Sequence, residues 1–253
     1  EFIPYQENKN IADNFFIKNL NLDWTAIYNP QSLVTNSINR EGCIFTLTFN
    51  TDASHLASSN HNHNIEIWDF KNKKIKKIIK DHKEIVTGIE YFHNDNSHMM
   101  TCSLDKTIKL WNNYEIVYTF VEHSDWVRCL AISKSNKNFL SGCVSSVIKF
   151  WDLAERKVVH SINNVNPDPE LLNTVNSLSF LNESDTIFIS GLRSGNVKIY
   201  DVRLKDALVK EFKAHKLKLN SVKINKSDNY LLSSGRDSVI KLWDFRKLPV
   251  NQT

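Results

Sequence analysis

Ile65-Glu66-Ile67-Trp68 returns as Ile108-Lys109-Leu110-Trp111, as Ile148-Lys149-Phe150-Trp151, as Val197-Lys198-Ile199-Tyr200, and again as Ile240-Lys241-Leu242-Trp243. The terminal aromatics stand 43, 40, 49 and 43 residues apart, and Asp69, Asp152, Asp201 and Asp244 follow four of them, with Asn112 in the second copy. Self-similarity at such a period marks a repeat architecture, so it is read before any single motif. Each copy is apolar at alternate positions, the period of a strand, with a charged side chain between.

Working outward, the same parts recur in the same order. A β-prone run such as Val86 to Tyr91 comes first, then a polar turn. A run ending in small residues follows, as in Leu56-Ala57-Ser58-Ser59, Phe139-Leu140-Ser141-Gly142 and Leu231-Leu232-Ser233-Ser234-Gly235. Next come a tight turn, the aromatic tetrapeptide and a further β-prone stretch: Ile75 to Ile79, Ile116 to Phe120, Val158 to Ile162. Each unit is thus four short strands joined by polar turns. Helical periodicity is absent across this span.

The pattern resembles the WD-repeat family, whose units are the four-stranded blades of a β-propeller. The expected fold is all-β: five recognisable four-stranded blades ending near Trp68, Trp111, Trp151, Tyr200 and Trp243. The last blade stops after its third strand. Either the ring is a small five-bladed one or two further blades lie beyond Thr253; the second is the expectation, because rings of seven are usual in the family. The expected organisation is an N-terminal extension over 1–41 and the propeller over 42–253. Ile11, Phe15, Phe16 and Leu20 suit a short helix in the extension, and Ser32 to Ile38 suits a closing strand.

The resemblance also accounts for most of the polar residues. The family's blade histidine is matched by His82, His123 and His215, and its tight-turn aspartate by Asp105 and Asp237. The implied hydrogen-bonded sets are His82, Asp105 and Trp111, and His215, Asp237 and Trp243, each with a nearby hydroxyl. His123 and Trp151 form a third set with Ser145 where Asp would stand. The first and fourth blades lack the histidine and should rely on packing. These residues look like catalytic candidates, yet buried polar groups with all partners satisfied are structural by default.

Composition narrows the rest. The chain has 253 residues, with 32 basic and 28 acidic side chains and 24% charged residues overall. That suits a globular protein, and a net charge of +4 is too slight to imply nucleic acid by itself. No apolar run reaches the ~18 residues that a membrane span requires. Six Gly and five Pro among 253 residues is a low share, while Asn occurs 30 times. Asn60, Asn62, Asn94, Asn136 and Asn229 stand where blade turns often use Gly, and Asn tolerates left-handed backbone. Cys43, Cys102, Cys129 and Cys143 form no CxxC pair and lie in strand-like stretches. They read as buried free thiols of an intracellular protein, nuclear or cytoplasmic.

No enzyme is expected. His55, His61 and His63 cluster without a carboxylate or thiol at ligand spacing, so neither a metal nor any other cofactor is implied. Phosphate-binding loops, GxSxG elbows and HExxH motifs are absent.

Function therefore has to come from the surface. Trp126, at the start of an inner strand, is a candidate anchor for a partner. Lys83, Lys216 and Lys218 flank the blade histidines and suit an acidic peptide or RNA. Leu231 to Arg246 resembles the DWD box, a repeat ending Trp-Asp-x-Arg, and Tyr200-Asp201-Val202-Arg203 is a looser copy. The box is shared by substrate receptors that dock on the DDB adaptor of cullin-4 ubiquitin ligases. Shorter stretches, such as Glu41 to Leu47, Thr101 to Ile108 and His123 to Val127, are similar to the cullin-4-associated factors, factor 10 among them. The resemblance implies a non-enzymatic substrate receptor in protein ubiquitination, holding the adaptor through Asp201, Arg203, Asp244 and Arg246. The alternative is a WD-repeat scaffold in an RNA-processing or other nuclear assembly. Either way the partners are proteins and no membrane is involved.

Overall fold

A computed structural model describes residues 43–72, 74–164 and 173–248, and the statements below concern these. The expected N-terminal helix and closing strand lie outside the described residues. Five antiparallel meanders follow one another along the chain. The first comprises β1 (Ile44–Phe49), β2 (His55–Asn60), β3 (Ile65–Asp69) and β4 (Lys74–Ile79). The second comprises β5 (Val86–Tyr91), β6 (His98–Ser103), β7 (Ile108–Asn112) and β8 (Glu115–Phe120). Then come β9 (Val127–Ile132), β10 (Asn138–Cys143), β11 (Val147–Asp152) and β12 (Lys157–Asn163). The fourth holds β13 (Val175–Phe180), β14 (Ile187–Leu192), β15 (Asn196–Asp201) and β16 (Leu208–Lys213). The fifth has β17 (Leu219–Ile224), β18 (Tyr230–Gly235) and β19 (Ile240–Asp244), three strands among the described residues. The all-β propeller expected from the repeat is the observed fold.

Successive sheets pack through their first strands: β1 on β5, β5 on β9, β9 on β13 and β13 on β17. The alternation of the repeat explains this stacking, because the tetrapeptides of the first four sheets bury most of their apolar positions. Ile108, Leu110 and Trp111 are buried while Lys109 between them stays accessible. Trp111 and Trp151 are fully buried, and each withdraws ~200 Å² from water, worth about 5 kcal/mol as an upper bound. Trp151 stacks on Phe139, directly opposite in the register, at 5.2 Å and 8° between ring planes. Phe188 and Tyr200 repeat the stack in the next blade at 5.0 Å. In all four four-stranded sheets the register between the third and fourth strands slips at the aromatic, a bulge that adds twist there.

Hydrogen bonds lace neighbouring blades. Ser59 Oγ donates to the Val86 carbonyl at 2.7 Å, and Thr87 Oγ1 to the Val127 carbonyl at 2.6 Å. The Asn136 side chain clasps His93 through both its amide and its oxygen, at 2.7 and 2.9 Å. The outward faces of the first and last sheets keep apolar rows exposed: Phe45, Leu47 and Phe49 on one, Leu232, Ile240 and Leu242 on the other.

Asn94 and Asn136 take left-handed backbone, as their turn positions suggest, with φ of 55° and 59°. Asn60, Asn62 and Asn229 do not; His63 and Asp228 beside them carry the positive φ instead. Asn60 and Asn229 serve by side chain and backbone bonding. The Asn60 oxygen accepts from the Asn62 amide at 3.0 Å, and Asn229 donates its amide to the Asn225 oxygen at 2.9 Å. Cys102, Cys129 and Cys143 are buried and free, but Cys43, just ahead of β1, is exposed. No helix among the described residues is long and apolar enough to cross a membrane.

Candidate interaction surface

Each blade histidine hangs in the loop entering its sheet and is tied inward. In the second blade Trp111 Nε1 donates to Thr101 Oγ1 at 2.9 Å, and His82 Nε2 meets the same oxygen at 2.8 Å. His82 Nδ1 stands 2.8 Å from Asp105 Oδ2. One proton order satisfies every atom. The indole donates to the hydroxyl, the hydroxyl donates to Nε2, and the Nδ1 proton goes to the carboxylate. The fifth blade repeats the chain through Trp243, Ser233, His215 and Asp237, at 2.9, 2.9 and 2.8 Å. Burial works to raise the Asp105 pKa, but the hydrogen bonds it accepts from His82 and Thr107 prevail and hold it well below the usual range. Asp237 is lowered in the same sense, with His215 as the main counterweight to burial.

The third blade completes only half of this. His123 Nε2 meets Ser141 Oγ at 2.6 Å and Trp151 Nε1 donates to that oxygen at 2.8 Å. Among the described residues no carboxylate pairs with its Nδ1, because Ser145 stands at the aspartate position and bonds with Cys143. Burial and, secondarily, Lys149 press the His123 pKa down to about 4. In the first blade Trp68 Nε1 donates to Ser58 Oγ at 3.0 Å, with no histidine. In the fourth, Tyr200 turns its hydroxyl to Asn164. A hydroxyl ten residues before each of the four repeat tryptophans (Ser58, Thr101, Ser141, Ser233) is the regularity that identifies these partners. It was open to view in the sequence.

These catalytic-looking residues are therefore engaged with one another. Among the described residues, no three His, Cys, Asp or Glu side chains gather as metal ligands. What remains is surface. The antiparallel order puts the histidine loops and the second-to-third-strand hairpins at one end of the blades, and the turns after β15 and β19 at the other.

At the histidine end, Trp126 is 51% exposed just before β9, its carbonyl held by the Val144 amide at 3.0 Å. Lys83 and Lys216 are exposed and give their backbone amides to Asp105 and Asp237. Lys216 and Lys218 share a cleft with Arg193, Ser194, Leu217 and Arg236, while Lys83 lies on another blade outside it. Arg193 and Arg236 went unnoticed in the sequence. Both stand seven residues before the aromatic of their repeat, so aligning the repeats would have paired them.

At the opposite end, Arg203 and Arg246 each fold back on the aspartate two residues earlier. Arg203 Nε and Nη2 reach Asp201 at 2.9 and 2.7 Å; Arg246 reaches Asp244 at 3.0 and 3.1 Å. These bonds lower both aspartate pKa values and raise those of the arginines. The two arginine side chains remain 65% and 63% exposed. The fork is thus presented outward but shared with a local partner.

Comparison with known proteins agrees with this architecture. Residues 117–249 match the profile of the nucleolar protein 10-like N-terminal domain, a β-propeller. Residues 32–69 and 73–112 match the WD domain, G-beta repeat. Among curated proteins, the chain is 26% identical over 187 residues to pre-mRNA-processing factor 19 homolog 2 of Arabidopsis thaliana, covering 72% of this chain and 34% of that protein. It is 24% identical to human pre-mRNA-processing factor 17, over 71% of this chain and 30% of the other. It is also 24% identical to COMPASS component SWD3 of Saccharomyces cerevisiae, over 78% and 64%. The chain spans about a third of the length of the two pre-mRNA-processing relatives. With more than half of its length matching the nucleolar protein 10-like domain and the remainder carrying WD repeats, the chain belongs to the WD-repeat β-propellers of the nucleolar protein 10-like family.

Proposed function

We propose that this propeller is a non-enzymatic protein-interaction module within a nuclear RNA-processing assembly. The observation that carries the reading is the division of its polar residues. The histidines, hydroxyls and aspartates that could do chemistry are locked in blade networks, while Trp126 and a group of cations stand exposed at one end. The nucleolar protein 10-like match and the two pre-mRNA-processing relatives support the RNA-processing setting. Protein partners dock on the histidine end with Trp126 as an anchor, since a large exposed aromatic is a common hot spot. The exposed apolar rows of the first and last sheets support a larger ring, in which further blades would cover them.

A second reading has its own support. Arg203 and Arg246 are oriented by their aspartates and two-thirds exposed, which suits paired bonding to the DDB adaptor of a cullin-4 ligase. Affinity purification of the tagged full-length protein from nuclei separates the two. Recovery of pre-mRNA-processing subunits that is lost with Trp126→Ala supports the first. Recovery of adaptor and cullin-4 that is lost with Arg203→Ala plus Arg246→Ala replaces it with the second.

A further inference from the structure

Several lysines are occupied by the fold. Lys109 Nζ donates to the Asp81 carbonyl at 2.9 Å, Lys149 to Glu122 at 2.8 Å and Lys241 to Ala214 at 2.6 Å. Each of these carbonyls belongs to the residue just before a blade histidine. Lys198 pairs with Glu211 at 3.2 Å, Lys223 reaches Glu90 at 3.6 Å, and Lys213 bonds to the Ser194 carbonyl. Other cations stand apart from this scheme, Lys83 and Lys106 on the second blade and Lys216 on the fifth among them, engaged only through backbone amides. Among the described residues, Arg128, Arg193, Lys218 and Arg236 have no side-chain hydrogen bond and no carboxylate partner.

These four come from three blades; three of them share a cleft, and Arg128 lies outside its lining, near enough for its charge to act on Lys218. Arg193 and Arg236 line one cleft with Lys216 and Lys218. Its walls are held by backbone. The Arg236 amide donates to the Lys218 carbonyl at 2.7 Å, and the Ala214 and His215 amides both donate to the Gly195 carbonyl at 3.0 Å. Gly195 sits at φ +87°, where a Cβ would fall 2.3 Å from the His215 carbonyl oxygen and 2.5 Å from that of Leu217. The turn after β14 is thereby pressed against the loop before β17. Burial, then the charges of Arg128, Arg193 and Arg236, hold the Lys218 pKa below its ordinary value. Unpaired like charges at such proximity are unfavourable without an anion, and guanidinium forks match a phosphoryl group in geometry and charge.

We propose that this cleft binds a phosphorylated acidic segment of a partner protein, with the phosphoryl group held among Arg193, Lys218 and Arg236 and Arg128 adding charge from the neighbouring blade. The inference rests on the protein-interaction reading and specifies the partner for the same end of the propeller. RNA is disfavoured by the arrangement. Its backbone asks for a track of cations with aromatic platforms for the bases, whereas Arg193, Lys216, Lys218 and Arg236 gather in one cleft whose lining holds no aromatic side chain.

The test is an array of short acidic peptides, each present with its central serine phosphorylated and unphosphorylated, probed with the purified full-length protein at about 150 mM salt. Phosphorylated peptides should be retained and their unphosphorylated twins lost. Removing two guanidinium partners with Arg193→Gln plus Arg236→Gln should weaken retention by about tenfold or more. Lys157→Gln, on an exposed outer strand, should leave it unchanged. Thermal melting checks that each variant is folded, and Lys218→Gln serves if the double variant is not. Retention of no peptide, equal retention of both forms, or undiminished binding by the folded variant would overturn the proposal. So would displacement of every peptide by oligouridylate that no phosphopeptide can reverse. Absent peptide binding with pre-mRNA-processing subunits still recovered would sink the cleft alone; the converse would sink the assembly reading alone.

Discussion

Replacing Thr101 by Val tests the blade network with almost no change in shape. Thr101 is fully buried, and its hydroxyl serves two partners, Trp111 Nε1 at 2.9 Å and His82 Nε2 at 2.8 Å. Valine fills the same volume, so no cavity arises; what is lost is the partner of two buried polar groups. Each group left unsatisfied costs about 1–3 kcal/mol, so the substitution should destabilise the protein by ~2–5 kcal/mol. Against the roughly 5–15 kcal/mol that holds a domain together, this is a large fraction. Ser58→Ala is the internal control. Ser58 serves only Trp68, at 3.0 Å, so its loss should cost about half as much. Urea unfolding with unchanged m-values gives both numbers directly. By thermal melting, a ~3 kcal/mol loss should appear as a drop of about 6–12 °C. If Thr101→Val cost no more than Ser58→Ala, the histidine would add nothing to the network and the reasoning would fail.

The missing carboxylate of the third blade should make stability depend on pH. His123, with a pKa of about 4 when folded, refuses a proton that the unfolded chain accepts near 6.5. Stability from this site is therefore complete above pH ~6.5 and declines as pH falls to ~4, by about 3 kcal/mol in all. Subtracting the urea-unfolding pH profile of His123→Gln should reveal that slope, and a flat difference between the two profiles counts against it. Maleimide labelling of the native protein should modify Cys43 alone among the four thiols, with Cys102, whose pKa burial pushes up to about 12, reacting only after unfolding. Gly195→Ala should lower stability by roughly 1–3 kcal/mol, through both its positive φ and its collision with the 215–217 backbone, and should disorder the basic cleft. Melting and peptide retention measured together check that expectation.

How much of this was legible depends on how local each feature is. The strands were open to view because the tetrapeptide states both their period and their spacing; Val86–Tyr91 is the observed β5. The networks were half legible. Histidines, aspartates and tryptophans announced themselves, but the hydroxyl ten residues before each repeat tryptophan is a small residue in a run of small residues. Turn asparagines were read correctly at Asn94 and Asn136, where the left-handed residue sits three and four places past the strand. At Asn60, Asn62 and Asn229 a neighbour bends the backbone, and the side chains of Asn60 and Asn225 organise the turns by accepting the amides of Asn62 and Asn229. Cys43 falls before its strand begins, so strand-like surroundings misled about its burial. The basic cleft was least legible, since Arg128, Arg193 and Arg236 are brought together only when three blades fan about one axis. Arg203 and Arg246 were located readily; their bonding to Asp201 and Asp244 follows from a spacing of two residues across a tight turn.

Hydrogen exchange of the full-length protein, free and in the assembly purified with it, tests most directly which end of the propeller meets its partners. The account expects slowed exchange at residues 124–128, 193–195, 216–218 and 236, with the turns at 201–206 and 244–248 unchanged. Protection confined to those turns, with Trp126 and the cleft as open as in the free protein, would contradict it.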